Sequence, residues 1–339
     1  MRILITGGAG FIGSNFVRHL RARHPDYRLT VLDALTYAGS LDNLPPELLD
    51  DGRFRFCHGN IRNAAFVEEL MAEADAVVHL AAETHVARSI HDTVAFFETD
   101  VLGTQAVANA AVRHPVERFI HLSTSEVYGS ARSVPMTEDH PLCPTTPYAS
   151  AKLGADRLVY AYAITFGLPA IILRPFNTYG PWQHLEKVVP RFVTSALARE
   201  PLTVHGDGSN TRDWLYVADL CEAIDLALHA DLARLAREPI NLGTGRETGI
   251  RELAELILRQ TGRPAASLRF LPDRPGQVRQ HRAATEQAER LLGWRARTDL
   301  EAGLEQTCRW YAEHEAWWRK LRWMRSVTIT GPSGQKIEY

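Results

Sequence analysis

The sequence has little cysteine, no charge imbalance and no long apolar run, and each shortage closes off a class of protein. Cys57, Cys143, Cys221 and Cys308 are well separated and form no C-x-x-C pair. That spacing excludes a disulfide-stapled scaffold and a zinc ribbon, and reads as reduced thiols in a cytoplasmic protein. Lys and Arg number 38 against 40 Asp and Glu, a formal net charge of −2, which gives no support to nucleic acid as a partner. No stretch approaches the ~20 apolar residues of a membrane span. Residues 2–6 already read as a strand, so neither a membrane partner nor a signal peptide is expected. Repeats and low-complexity tracts are also missing. What is left is a chain of 339 residues, 45% hydrophobic, long enough for one large or two modest domains.

Apolar runs at 2–6, 29–32, 54–58, 76–80, 118–122 and 170–173 read as buried strands, separated by helical patterns such as 94–113 and 148–166. Such alternation predicts an α/β fold, a Rossmann-type doubly wound parallel sheet covered on both faces. After Arg174, Pro, Gly and Asn punctuate shorter elements at 188–198, 202–204, 217–229, 250–261 and 300–313. A smaller C-terminal α/β substrate-binding lobe is expected there. The predicted boundaries are 1–174 for cofactor binding, 175–325 for the lobe, with some elements returning to the main sheet, and 326–339 for a tail. Two β-like pieces around Gly331-Pro332-Ser333-Gly334 suggest that the tail is a hairpin.

The first strand runs into Gly7-Gly8-Ala9-Gly10-Phe11-Ile12-Gly13, and a helical pattern follows. Gly7, Gly10 and Gly13 permit a tight turn, a close approach to a pyrophosphate and packing of helix on sheet, with the helix N-terminus facing the phosphate charge. Asp33 ends the next strand, the place of a carboxylate that binds a ribose 2′-hydroxyl and repels a 2′-phosphate. The expected cofactor is therefore NAD rather than NADP.

Downstream lie Ser123-Thr124-Ser125-Glu126-Val127-Tyr128-Gly129 and Pro147-Tyr148-Ala149-Ser150-Ala151-Lys152. With Pro147 opening a helix, Tyr148 and Lys152 share one face. An ammonium near a phenol favours phenolate, so Lys152 is expected to lower the pKa of Tyr148 and make it a base for an alcohol proton. Thr124 completes a hydroxyl, phenol and ammonium triad suited to alcohol oxidation.

With these residues in place the chain resembles the extended short-chain dehydrogenase/reductases that act on nucleotide sugars, from Met1 to about Trp310. The resemblance rests on the glycine turn, His79-Leu80-Ala81-Ala82, Tyr148 with Lys152, Arg174-Pro175-Phe176-Asn177-Thr178-Tyr179-Gly180, Arg212-Asp213-Trp214-Leu215-Tyr216-Val217 and Asn241-Leu242-Gly243-Thr244-Gly245. Leu35-Thr36-Tyr37-Ala38-Gly39, Glu83-Thr84-His85-Val86, Glu186-Lys187 and Asp273-Arg274-Pro275-Gly276 are similar to dTDP-glucose 4,6-dehydratases. Residues 124–129 leading to 137–141 look more like dehydratases of UDP-N-acetylglucosamine.

The resemblance implies a 4,6-dehydratase cycle on a nucleoside-diphosphate hexose. Tyr148, with Thr124, takes the C4 hydroxyl proton while hydride passes to NAD; Glu126 takes the C5 proton, water leaves from C6, and hydride returns there. It further implies Gly7, Gly10, Phe11, Ile12, Gly13, Asp33, Asn60, Ile61, Leu80, Ala81, Ala82, Tyr148 and Lys152 around the cofactor. Thr84, Asn177, Glu186, Lys187, Val188, His205, Arg212 and Arg274 are implied around the substrate, and the family's four-helix interface implies a homodimer.

Departures from the pattern sharpen the reading. Ser125 stands where dTDP-glucose dehydratases carry an aspartate that protonates the leaving hydroxyl, so Glu126 is left to shuttle that proton, with Ser125 positioning it. Asn60 replaces an adenine-contacting aspartate, Ala87 a frequent aspartate, and His205 a base-pocket tyrosine, leaving the nucleotide and the hexose open. A nucleotide-sugar 4-epimerase or a UDP-glucuronate decarboxylase would use the same Tyr148 and NAD, and a non-catalytic nucleotide-sugar sensor is the reading from another class. Glu126 as a structural hydrogen-bonder, Asn177, Lys187, Arg212 and Arg274 as solvated or capping residues and Trp310, Trp317, Trp318 and Trp323 as packing of a terminal helix are the plainer alternatives. His79, His85 and His91 match no metal motif, and no metal is expected.

Overall fold

The computed structural model describes residues 1–232, 235, 238–264, 267–273, 276–326, 328–330 and 336–338. Strands β1 (Arg2–Thr6), β2 (Arg28–Asp33), β3 (Phe54–His58), β4 (Ala76–His79), β5 (Arg118–Leu122) and β6 (Ala170–Pro175) form where the apolar runs lie. With Ile240–Leu242 they make a seven-stranded sheet in the order Ile240–Leu242, β6, β5, β4, β1, β2, β3. Every pairing in it is parallel. Residue alternation along β1 shows why both faces are covered. Ile3 and Ile5 pack with Phe16, Val17 and Leu20 of helix Phe11–Arg23 and with Leu220 and Ile224 of helix Val217–His229, while Leu4 turns to the opposite layer with Val107, Phe119 and Val159.

The chain runs from β1 outward to β2 and β3, then returns to β4 on the other side of β1. A crevice opens at the C-terminal ends of strands at such a switch in direction, which is where ligands settle in this architecture. A third apolar cluster lies in the later half, where Val189, Phe192, Leu202, Val204, Leu253, Ile257, Trp310, Tyr311 and Trp318 pack together. Trp317 packs against that cluster, but Trp323 is 79% exposed and takes no part in the packing expected of it. Ile240–Leu242 leaves this half to pair with β6.

The helical pattern over 94–113 is interrupted. Residues Thr93–Phe96 and Thr104–Arg113 are α-helical, and Phe97–Gly103 between them is a π-helical turn. Helix Pro147–Thr165 begins with Pro147 at its first position and the Thr146 hydroxyl accepting from Ala149 N at 3.2 Å. In the tail, Thr328–Thr330 pairs antiparallel with Lys336–Glu338; the Gly-Pro-Ser-Gly segment between them lies outside the described residues.

Candidate active site

The glycine turn at the end of β1 is dictated by close contacts. Gly7 has φ +72°, and a Cβ there would lie 2.7 Å from the Ala81 backbone; one on Gly13 would lie 2.2 Å from the Gly7 carbonyl oxygen. At Gly10 the same atom would meet only that oxygen, at 3.3 Å, so this glycine leaves bare backbone facing the crevice. Gly10 caps helix Phe11–Arg23 without a side-chain bond, and no acidic residue occupies the first turn. The free amides and the positive end of the helix dipole therefore point at open space. Asp33, at the end of β2, accepts from Ala9 N at 2.9 Å and Leu35 N at 2.8 Å, and burial pushes its carboxyl pKa up. A carboxylate has about four acceptor positions, so capacity for a hydroxyl remains.

These residues line one cavity, together with Phe11, Ile12, Asn60, Ile61, Leu80, Ala81, Ala82, Tyr148 and Lys152. The Asn60 carbonyl accepts from Arg62 N at 2.9 Å, which leaves its NH2 group to donate.

Beyond β5, Ser125–Tyr128 forms a 3₁₀ turn capped by Thr124, whose hydroxyl accepts from Glu126 N at 3.2 Å. Thr124 also bonds the Tyr148 phenol. The expected effect of Lys152 on Tyr148 is not the one found. Burial raises the Tyr148 pKa well above its ordinary 10, Asp100 and Glu126 raise it further, and only the Thr124 bond opposes them. Lys152 is buried and donates to the Leu122 carbonyl at 2.7 Å, its charge shared with Asp100 and Asp156.

Asp100 escaped sequence reasoning because a π-helical turn, not a regular helix, carries it. Its Oδ1 accepts from Glu83 N at 2.8 Å, its Oδ2 is buried with no hydrogen-bond partner among the described residues, and burial pushes its pKa up to about 7. Glu83, also on the cavity wall, is raised to about 7 by burial and by Glu186.

Of the residues expected around a substrate or in catalysis, Thr84, Glu126, Asn177, Glu186, Lys187 and Val188 line the same cavity. Lys187 Nζ donates to the Thr84 carbonyl at 2.6 Å, and Glu186 accepts from Tyr37 at 2.9 Å and from Arg88 at 3.2 Å. Asn177 Oδ1 is buried with no partner among the described residues. His205 and Arg212 are not on this wall; they line an adjoining cavity that shares Glu126, Asn177 and Lys187 with the first. Arg274 lies outside the described residues. His281, which no sequence signal marked, lies 3.4 Å from the Ser125 hydroxyl.

Elsewhere, His79 bonds Thr6 at 2.7 Å and Thr104 at 2.9 Å within the core. The donor atoms of His24, Asp225 and His229 lie within 4.8 Å of one another, outside both cavity linings.

The family model described as GDP-mannose 4,6 dehydratase matches residues 4–307. A dTDP-glucose 4,6-dehydratase of Streptomyces niveus is 43% identical over 326 residues, covering 95% of this chain and 96% of that protein. DesIV, a dTDP-glucose 4,6-dehydratase of Streptomyces venezuelae solved with NAD and TYD bound, superposes with a TM-score of 0.90 at 44% identity, over 95% of this chain and all of its own. The UDP-glucose 4-epimerase of Thermotoga maritima, solved with UDP-glucose, has a TM-score of 0.85 at 31% identity, covering 92% of this chain and 99% of its own. Because the likeness extends over nearly the whole length and is strongest to the dehydratases among these, the chain belongs to the nucleotide-sugar 4,6-dehydratases of the extended short-chain dehydrogenase/reductase family.

Proposed function

We propose that this chain is an NAD-dependent nucleoside-diphosphate-hexose 4,6-dehydratase, and that dTDP-glucose, named for the Streptomyces relatives, is the first substrate to test. The observation that carries the reading is one cavity joining the glycine turn and Asp33 to Thr124, Ser125, Glu126, Tyr148 and Lys152. Its residues fit NAD. Gly10 and the uncapped helix start suit a diphosphate, and Asp33 suits a ribose hydroxyl while repelling a 2′-phosphate. When bound, NAD takes two electrons and a hydrogen from C4 and gives them back at C6.

The chain's own groups handle the protons. Tyr148 accepts the C4 hydroxyl proton while Thr124 holds its oxygen. Burial, Asp100 and Glu126 raise the phenol's pKa, and a proton on Asp100, whose pKa is near 7, removes one of the two charges opposing the phenolate that takes the C4 proton. The C4 ketone acidifies the C5 proton, and Glu126 takes it as general base. Departure of the C6 hydroxyl as water completes the elimination. Lys187, Arg212 and Asn177 sit around Glu126 at the junction of the two cavities, where a diphosphate and a hexose need donors and cations.

In this reading residues 1–174 serve mainly the cofactor and 175–325 mainly the sugar nucleotide. The protein works in the cytoplasm as a homodimer. Val94, Phe97 and Leu102 on one helical stretch are 63%, 44% and 56% exposed, and Ile164 and Phe166 at the end of helix Pro147–Thr165 are 51% and 57% exposed. A second copy laid on them would bury that apolar surface.

Incubation with dTDP-, UDP-, GDP- and CDP-hexoses followed by mass spectrometry tests the activity. Loss of water is expected. Unchanged mass with inversion at C4 would replace the reading by an epimerase, and loss of carbon dioxide from a hexuronate by a decarboxylase.

A further inference from the structure

Ser125 is 2% exposed at the cavity wall, and behind it lies the fully buried His281, 156 residues further along the chain. His281 Nε2 is 2.6 Å from the Gly129 carbonyl oxygen. A carbonyl oxygen only accepts, so Nε2 carries the ring proton. Burial disfavours the imidazolium, and Arg212 adds to that against the opposing charge of Glu126. The neutral ring therefore presents a lone pair at Nδ1, which faces the Ser125 hydroxyl at 3.4 Å. Phe176 meets the ring edge to face, with centroids 5.8 Å apart, and fixes its plane.

We propose that His281 is a positioning residue that turns the Ser125 proton away from the cavity, so that Ser125 meets the C6 hydroxyl of the substrate as an acceptor and Glu126 alone carries the proton to the leaving oxygen. This deepens the dehydratase reading and rests on it. In the step, the C5–H bond breaks and its proton goes to the Glu126 carboxylate. The freed electron pair becomes the second C5–C6 bond as the C6–O bond breaks. The Glu126 proton then passes to the departing oxygen, which leaves as water, and Glu126 is again a carboxylate. No further acid or base is required.

Two measurements on the full chain test this, and one does not depend on turnover. ¹⁵N NMR of the imidazoles, with His281 assigned by the signal lost in His281→Asn, is expected to show Nε2 protonated and Nδ1 bare, with the Nδ1 shift moving in Ser125→Ala. An imidazolium, or a proton on Nδ1, would overturn the proposal even if no hexose were dehydrated, so its failure is separable from that of the dehydratase reading. The second is a double-mutant cycle on the dehydrated hexose. Ser125→Ala and His281→Phe are each expected to lower kcat about tenfold with KM little changed, and the double variant to fall no further than Ser125→Ala alone. His281→Asn, which keeps an acceptor toward Ser125, should recover most of the loss. Effects that multiply to about a hundredfold, or no rescue by Asn in a variant that melts like the unmodified protein, would show that His281 serves only the packing.

Discussion

Tyr148 and Glu126 line the same cavity, and each is tested by removing one property of its side chain. Tyr148→Phe keeps the ring and deletes the proton acceptor. Turnover should fall on the order of a hundredfold or more, the scale of acid–base groups, while calorimetry shows NAD and nucleotide binding unchanged. Near-normal turnover would mean that another residue deprotonates the C4 alcohol. Glu126→Gln keeps shape and hydrogen bonding but not basicity. The unmodified enzyme in heavy water should give a product with deuterium at C5, because in the proposed cycle Glu126 spends the C5 proton on the leaving oxygen and is recharged from solvent. The Gln variant should give neither product nor exchange at that carbon. Tyr148 was legible in the sequence because it precedes Lys152 by four, a spacing that a helix face preserves, whereas Glu126 was marked only by the family resemblance. The charge around the phenol was not, because Asp100 reaches it from another element.

Two elements hold that arrangement in place. Helix Pro147–Thr165 is tied to the sheet by Asp156, which accepts from Ser123 at 2.6 Å and from Arg174 at 2.9 and 3.0 Å. Burial works against the Asp156 carboxylate, but Arg174, Arg157 and Ser123 outweigh it and hold its pKa below the ordinary carboxylate range. Asp156→Ala leaves Arg174 buried and unpaired, so it should destabilise the fold by about 3–5 kcal/mol in urea titrations. A depressed pKa makes this contribution complete above the unfolded carboxylate range near pH 4 and progressively lost below it. The π-helical turn Phe97–Gly103 shows the opposite sign. Asp100 is raised to about 7 by burial, so its folded form prefers the proton. Stability linked to it is complete below pH ~4 and lost as pH rises through 7. Asp100→Asn should therefore raise Tm at pH 8 and do so much less at pH 5. An equal effect at both pH values would argue against a raised pKa. The helix at Pro147 was readable from its first-turn proline; the π turn was not, since periodicity over 94–113 has no separate sign for a widened turn.

At the scale of the whole molecule, the exposed Val94, Phe97, Leu102, Ile164 and Phe166 are the surface on which the homodimer is expected. Leu102→Glu combined with Phe166→Glu should yield monomers by light scattering while leaving the far-ultraviolet circular dichroism unchanged. A unmodified chain that is already monomeric at micromolar concentration would dismiss the dimer. No helix among the described residues is long and apolar enough to cross a membrane.

The sequence by itself determined the strand and helix order, the glycine turn, Asp33 at the end of β2 and the spacing of Thr124, Glu126, Tyr148 and Lys152. These depend on contacts a few residues apart, which apolar period, glycine, proline and capping residues encode directly. Tertiary structure alone decided which distant groups meet. The return of Ile240–Leu242 to pair with β6, the approach of Asp100 to Tyr148 and Lys152, and the seating of His281 behind Ser125 all arise from packing between elements far apart in the chain. Burial did the rest: it raised Tyr148 where an adjacent lysine was expected to lower it, because a phenolate removed from water is disfavoured and Asp100 and Glu126 add to that.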